Sequence, residues 1–129
     1  MNREIKFKVF DKELKRMSEP FKLSDPVVVF PDEVLPIFFV LHDEERFIKL
    51  QFTGFEGGHG IGIYEGDILY LGQSNFVSAS RAIVSWDEIE GKWIVRDEAD
   101  QEVYDLCDYN FDEIIGNIHS NSELLKEGK

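Results

Sequence analysis

Polar and apolar residues alternate along two stretches of the chain, and both stretches predict β-strands. Near the N-terminus, Ile5, Phe7 and Val9 lie on one side of the alternation, with Lys6 and Lys8 on the other. A period of two residues is typical of a strand with one buried face. We therefore predict a half-buried strand here, followed by a turn in the "DKELKR" segment at residues 11–16.

The second alternation begins near Arg46 and runs through Thr53, with Ile48, Leu50 and Phe52 on one side. This pattern predicts another strand.

Two short apolar runs lie between these stretches. The run "PVVVFP" has proline at each end, and proline is best tolerated at strand ends and sheet edges, so we interpret residues 26–31 as a short strand. The run Ile37–Leu41 is ambiguous, because Pro36 can either open a helix or precede a strand. Whether Ile37–Leu41 belongs to the core or to an interface is left open.

The second half of the chain predicts a β-meander. The segments "YEGDILYLG", "RAIVSWD" and "WIVRD" follow one another, and Gly91 shapes the turn in "EIEGK". Gly116 interrupts the run "EIIGNI", which indicates a bulge or a close backbone approach. A short helix is predicted at Ser122–Lys126, capped by Asn121 or Ser122. The predicted fold is a single, predominantly antiparallel β domain (α+β) over residues 1–129, with a short C-terminal helix.

The composition fits a compact domain with an aromatic core. The chain has 129 residues, of which 43% are hydrophobic and 13% are aromatic, and a chain of this size forms one core. The N-terminus does not resemble a signal peptide, and the run Ile37–Leu41 is too short to cross a bilayer. The lone Cys107 cannot form an intramolecular disulfide. We expect a soluble cytoplasmic protein without contact to a membrane.

Charge is distributed unevenly along the chain. The net charge is −12, yet residues 1–22 hold seven basic and four acidic residues, so the remainder carries −15. An acidic surface repels nucleic acid, so we expect no direct nucleic-acid binding, including through the basic first residues. The acidic surface either keeps the protein in solution or imitates a phosphate backbone and occupies a basic site on another protein.

The stretch Leu50–Leu69 holds six glycines, which could form a P-loop, a dinucleotide-binding turn or a hairpin loop. A P-loop requires a Gly-Lys-Ser/Thr ending, and no lysine lies between Lys49 and Lys92. A dinucleotide site requires its glycines before a helix, whereas a strand-like segment follows here. We interpret Gly54–Gly62 as an exposed hairpin loop that serves turn geometry or partner contact.

The residues that suggest chemistry form no recognised motif. His42, His59, His119 and Cys107 do not stand at the short spacings of metal ligands, so we predict no metal site. Cys107 with His119 would be a nucleophile and a base, but a buried, inert cysteine is the more common case.

Glu65 and Asp67 would share one face of a regular strand, as an acid/base pair would. We favour instead a turn that leads into a barrel strand. No catalytic or cofactor-binding residue is predicted.

Three segments resemble the signature blocks of the YopX family of bacteriophage and prophage proteins. They are Asn2–Met17, Leu50–Leu69 and Glu113–Leu125, and they occur in the family's order. The residues that carry the resemblance are Gln51, Phe52, Thr53, Gly54, Tyr64, Glu65, Gly66, Asp67, Ile68, Gly116 and Asn117. The chain departs from the family in its Gly57–Gly60 turn, where a lysine- and asparagine-containing turn is usual, and in Phe10, where tryptophan is common.

The resemblance implies an SH3-like small barrel element and an accessory role in the cytoplasm of an infected bacterium. It implies no catalytic residue, cofactor or metal. Our first hypothesis is a non-enzymatic module that binds an unidentified host or phage protein through its acidic surface or the Gly54–Gly62 hairpin. The alternatives are a small hydrolase that uses the acidic pair or Cys107, and an acidic DNA mimic that inhibits a host nucleic-acid-binding protein. Homo-oligomerisation remains open.

Overall fold

The computed structural model describes residues 5–57, 60–72, 75, 79–99 and 101–121. Within these ranges most of the chain is β-structure. The strands are β1 Phe7–Asp11, β2 Arg16–Met17, β3 Val27–Val29, β4 Val34–Pro36, β5 Phe47–Glu56, β6 Gly62–Tyr64, β7 Asp67–Leu71, β8 Ser80–Asp87, β9 Lys92–Asp97, β10 Val103–Asp105 and β11 Glu113–Asn117. The helical elements are α1, Ile37–His42, and a 3-10 turn, Leu106–Asp108.

The strands form three antiparallel sheets. The first sheet has the order β2-β1-β5-β6, the second has the order β10-β9-β8-β7-β11, and β3 and β4 form a two-stranded ribbon. The predicted fold class is therefore confirmed. The SH3-like small barrel element that the family resemblance implies stays a prediction.

One core lies among the first sheet, the ribbon and α1. Its buried residues are Phe7, Val9, Phe21, Val28, Phe30, Ile37, Val40 and Phe47. The alternation predicted for β1 is confirmed at Phe7 and Val9, but Ile5 lies before the strand and is largely exposed.

A second core lies against the five-stranded sheet. Its buried residues are Ile63, Leu69, Ala82, Val84, Trp93, Val95 and Leu106. The meander predicted for β7, β8 and β9 is confirmed, and Gly91 has the positive φ of +67° that the β8–β9 turn requires.

The ambiguous run Ile37–Leu41 is helical. Pro36 is the N-cap residue with extended backbone angles, so it precedes the first helical residue. Ile37 and Val40 are buried in the first core, whereas Phe38 and Phe39 are exposed. The run therefore supplies both core and surface.

Gly116 lies at a bulge, as predicted. The register of β11 against β7 shifts between Ile114 and Gly116. The predicted helix Ser122–Lys126 lies outside the described residues. In the part of the chain that is described, no helix is long and apolar enough to cross a membrane.

A buried ion-pair network ties β1 to the β3–β4 turn of the ribbon and to Arg46, the residue before β5. Asp11 is fully buried and accepts hydrogen bonds from Arg46 Nε at 2.9 Å and from Arg16 Nε at 3.0 Å. Arg16 also reaches Asp32 and Glu33 in the β3–β4 turn, at 2.6 Å each. The hydrogen bond from Arg46 is the main cause that lowers the Asp11 pKa to about 2. Arg16 belongs to the basic N-terminal segment, yet its side chain is buried and its charge is paired with carboxylates of the protein itself.

Candidate functional site

The residues that carry the family resemblance meet where the chain passes from the first sheet to the second. We call this place the inter-sheet junction and define it as Tyr64–Asp67 together with Asn117. The turn at its centre depends on Gly66, which has a φ of +84°. Glu65 N–H donates to Gln51 of β5 at 3.0 Å, and Gly66 N–H donates to Val84 of β8 at 2.8 Å. The turn is therefore bonded to both sheets.

Asn117 connects β11 to this turn through its side chain. Its Nδ2 donates to the Glu65 carbonyl at 3.1 Å and to Asp67 Oδ1 at 3.0 Å, and its Oδ1 accepts from His119 N–H at 3.0 Å. The backbone reinforces the contact, because Ile118 N–H donates to the Gly66 carbonyl at 2.9 Å. Asn117 thus uses its donor and its acceptor within the fold.

Asp67 is buried beneath this turn, and both of its carboxyl oxygens accept hydrogen bonds. Oδ2 accepts from Tyr64 N–H at 2.8 Å, and Oδ1 accepts from Asn117. Burial raises the Asp67 pKa, against the opposing effects of these two hydrogen bonds and of the Lys8 charge. The acid/base hypothesis placed Glu65 and Asp67 on one face of a regular strand, but Glu65 lies in the turn, as the preferred interpretation expected.

The block Gln51–Gly54 shapes the β5–β6 hairpin on the first-sheet side. Thr53 Oγ1 donates to the Ile63 carbonyl at 2.8 Å and accepts from Phe55 N–H at 3.1 Å. Gly54 has a φ of +91°, and the register of β5 against β6 shifts between Phe52 and Glu56. The prediction of a hairpin between two strands is therefore confirmed.

The extent of the predicted loop is wrong, because Gly54–Glu56 belongs to β5 and Gly62 begins β6. The pairing continues past the glycine at the bulge, which shortens the loop. His59, at the centre of this loop, lies outside the described residues.

An exposed apolar surface lies on the ribbon and at the start of α1. Its outward side chains are those of Val27, Val29, Val34 and Pro36, which pair across the two strands. Phe38, two residues further on, has 85% of its surface exposed. We call these five residues the ribbon face. From the sequence, the Ile37–Leu41 run stayed open between core and interface, and the valines were not singled out because a run of three valines does not reveal which one points outward.

Residues 6–126 match the family model described as YopX protein. The chain belongs to the YopX family. Its fold is similar to the crystal structure of protein EF1440 from Enterococcus faecalis, with a TM-score of 0.59, 23% sequence identity, and coverage of 96% of this chain and 99% of that chain. At this identity the similarity shows a shared fold alone. No curated protein matches the sequence.

Among the described residues of this YopX-family chain, the histidines and Cys107 do not form a shared group of metal ligands. His42 is exposed, and His119 stacks on Phe10 with ring centroids 5.8 Å apart. Burial lowers the His119 pKa. The expectation of a buried Cys107 is wrong, because the residue lies in the exposed 3-10 turn.

Cys107 has two acidic neighbours, and the ligand atoms of Asp105, Cys107 and Asp108 lie within 4.8 Å of one another. Two of these residues are exposed, and Asp105 already binds the Lys92 ammonium at 2.8 Å. Such a group is common on acidic surfaces and does not by itself indicate a metal site.

Proposed function

We propose that this YopX-family protein is a non-enzymatic protein-binding module that acts in the cytoplasm of a phage-infected bacterium. The observation that carries the proposal is the ribbon face. The signature residues give no support to an enzyme, because the side chains of Asp67 and Asn117 are hydrogen-bonded within the inter-sheet junction.

The size of the ribbon face supports a docking role. One exposed aromatic side chain and three valines that are 38–54% exposed present on the order of a few hundred Å² of apolar area. Patches of this size on a monomer often serve an interface. A specific interface buries about 800 Å² on each partner, so the ribbon face would form its centre and polar residues its rim.

The net charge of the chain indicates which charge the partner of the ribbon face should carry. Two copies would each carry −12, and surfaces of like charge repel each other. Acidic residues also flank the ribbon face in sequence, at Asp25 and at Asp43–Glu45. The partner proposed is therefore a different protein with an apolar surface and a basic rim.

The test compares two variants in which one exposed apolar residue is replaced by serine. Phe38→Ser removes the most exposed side chain of the ribbon face, and Leu14→Ser changes a residue that is 51% exposed in the β1–β2 turn. Proteins retained from a bacterial lysate by wild type and by Leu14→Ser, but not by Phe38→Ser, are purified and titrated. Loss of a central aromatic contact should weaken binding about 30-fold.

Equal binding by both variants, or no retained protein, would contradict the proposal. Sedimentation of the isolated chain provides a second check. A concentration-dependent dimer that Phe38→Ser abolishes would make a second copy the occupant and overturn the argument from charge.

A further inference from the structure

An aromatic groove lies between the end of β5 and the β8–β9 hairpin. It has a volume of about 370 Å³, and its aromatic walls are Phe55, Trp86 and Trp93. Trp93 is buried, whereas Trp86 is 41% exposed and Phe55 is 39% exposed. The groove therefore offers aromatic surface to a ligand.

The Trp86 ring is held in place by its neighbour. Trp86 and Trp93 are paired across β8 and β9, and their rings meet edge to face with centroids 5.0 Å apart. A ring fixed in this way loses little conformational freedom when a ligand binds to it.

Several aromatic rings of the first half already have a cation from the chain itself. Arg16 lies 4.3 Å from the Phe30 centroid, and Lys8 lies 4.6 Å from that of Tyr64. Among the described residues, no lysine or arginine lies over Trp86 or Trp93. Tryptophan is the best aromatic partner for a cation, so the exposed Trp86 ring has an unused capacity for cation–π contact.

Acidic residues are adjacent in sequence to the residues that line the groove, and two carboxylates, those of Glu90 and Asp105, contact the lining residue Lys92. Glu56 follows Phe55, Asp87 and Glu88 follow Trp86, and Glu90 precedes Gly91 at the end of the groove. The one lysine among the lining residues is Lys92. Its charge is offset by Glu90 at 2.9 Å and by Asp105 at 2.8 Å. A cationic ligand is therefore attracted to the groove by the summed charge around it.

We propose that this groove binds an arginine side chain of an extended basic segment of another protein. The guanidinium is planar and weakly hydrated, so it stacks on an aromatic ring while its N–H groups face carboxylates. Lysine has the same charge but is strongly hydrated and has no planar group to stack. This site is separate from the ribbon face and does not depend on the function proposed for it.

The test uses two synthetic peptides of equal length and charge, oligo-arginine and oligo-lysine. Both should bind an acidic protein weakly, and the affinity should fall with salt. The proposal predicts that oligo-arginine binds about fivefold more tightly than oligo-lysine, and that it shifts the indole NMR signals of Trp86 and Trp93. Equal affinities, or shifts confined to other residues, would overturn it.

Variants assign the preference to the ring. Trp86→Leu should remove the difference between the two peptides, and Trp86→Phe should retain part of it. Phe38→Ser is the matched control, because it changes the ribbon face and should leave the preference for arginine intact. An unchanged preference in Trp86→Leu would refute the site. A preference lost in Phe38→Ser would place the arginine contact on the ribbon face instead.

Discussion

Replacing Asn117 should destabilise the protein more than most substitutions of a polar residue. Asn117→Ala removes the hydrogen bonds to the Glu65 carbonyl, to Asp67 and from His119 N–H. The backbone at residue 117 is otherwise unchanged, and Asp67 stays buried without one of its two donors. Of the bonds by which Asn117 and Ile118 hold the turn, only the backbone bond from Ile118 N–H to the Gly66 carbonyl would remain.

The magnitude follows from the three lost bonds. A hydrogen bond between neutral groups contributes about 1 kcal/mol, a bond to a charged group contributes about 2 kcal/mol, and a buried partner left without its bond adds to the cost. The loss in the free energy of unfolding should therefore be about 3–5 kcal/mol. Because a urea slope of about 2 kcal/mol/M is ordinary for a small domain, the midpoint should fall by about 2 M.

The assay is urea denaturation at equilibrium, with Asn110→Ala as the matched control. Asn110 is exposed, so its substitution should change stability by less than about 0.5 kcal/mol. A loss below about 1 kcal/mol for Asn117→Ala would refute the reasoning, because the three bonds would then contribute nothing beyond an exposed residue.

The substitution Asn117→Asp gives a second signature. The variant keeps the oxygen that accepts the hydrogen bond from His119 N–H. It replaces the Asn117 Nδ2 donor, which lies 3.0 Å from Asp67 Oδ1, with a second carboxyl oxygen. Two carboxyl groups this close favour sharing a proton, so the folded variant should bind a proton more tightly than the unfolded one. Its stability should therefore rise as the pH falls from 7 towards 5.

Two further predictions concern acid stability and the central glycine. The pKa of Asp11 is lowered from 3.8 to about 2, so its contribution to stability is present above pH 4 and is lost as the pH falls towards 2. The difference in unfolding free energy between wild type and Asp11→Asn should shrink across that window, and a constant difference would contradict it. Gly66→Ala should cost more than Gly60→Ala in urea denaturation. Both positions have positive φ, which costs about 1 kcal/mol or more, but a Cβ at Gly66 would lie 3.2 Å from Asn117 Nδ2, whereas at Gly60 nothing lies within 4 Å. Equal losses would show that the Asn117 contact adds no cost.

The meander could be predicted from sequence because its information is local. Trp93, Ile94 and Val95 form a short apolar run between Lys92 and Arg96, and Gly91 marks the turn that joins β8 to β9. The run Ile37–Leu41 could not be assigned, because five apolar residues fit a buried strand as well as a short helix. Packing decided the outcome: Ile37 and Val40, three residues apart, face the core together.

The contacts of the candidate sites are non-local, and for that reason sequence patterns did not reveal them. Asn117 and Asp67 are fifty positions apart in sequence, yet they lie 3.0 Å apart in the fold. Both residues are among those that carry the family resemblance, but the resemblance implies no structural role for either. The error at Cys107 had a different cause, since the usual burial of cysteine gave way to the exposed 3-10 turn in which it lies.

The inter-sheet junction has a consequence for how relatives of this protein should be compared. The residues by which a family member is recognised secure the connection between two sheets, while the ribbon face and the aromatic groove are lined largely by other residues. A chain can therefore keep the signature and change the surfaces that meet its partners at little cost to stability. Shared signature residues predict a shared architecture, and a common partner must be inferred from the surfaces themselves.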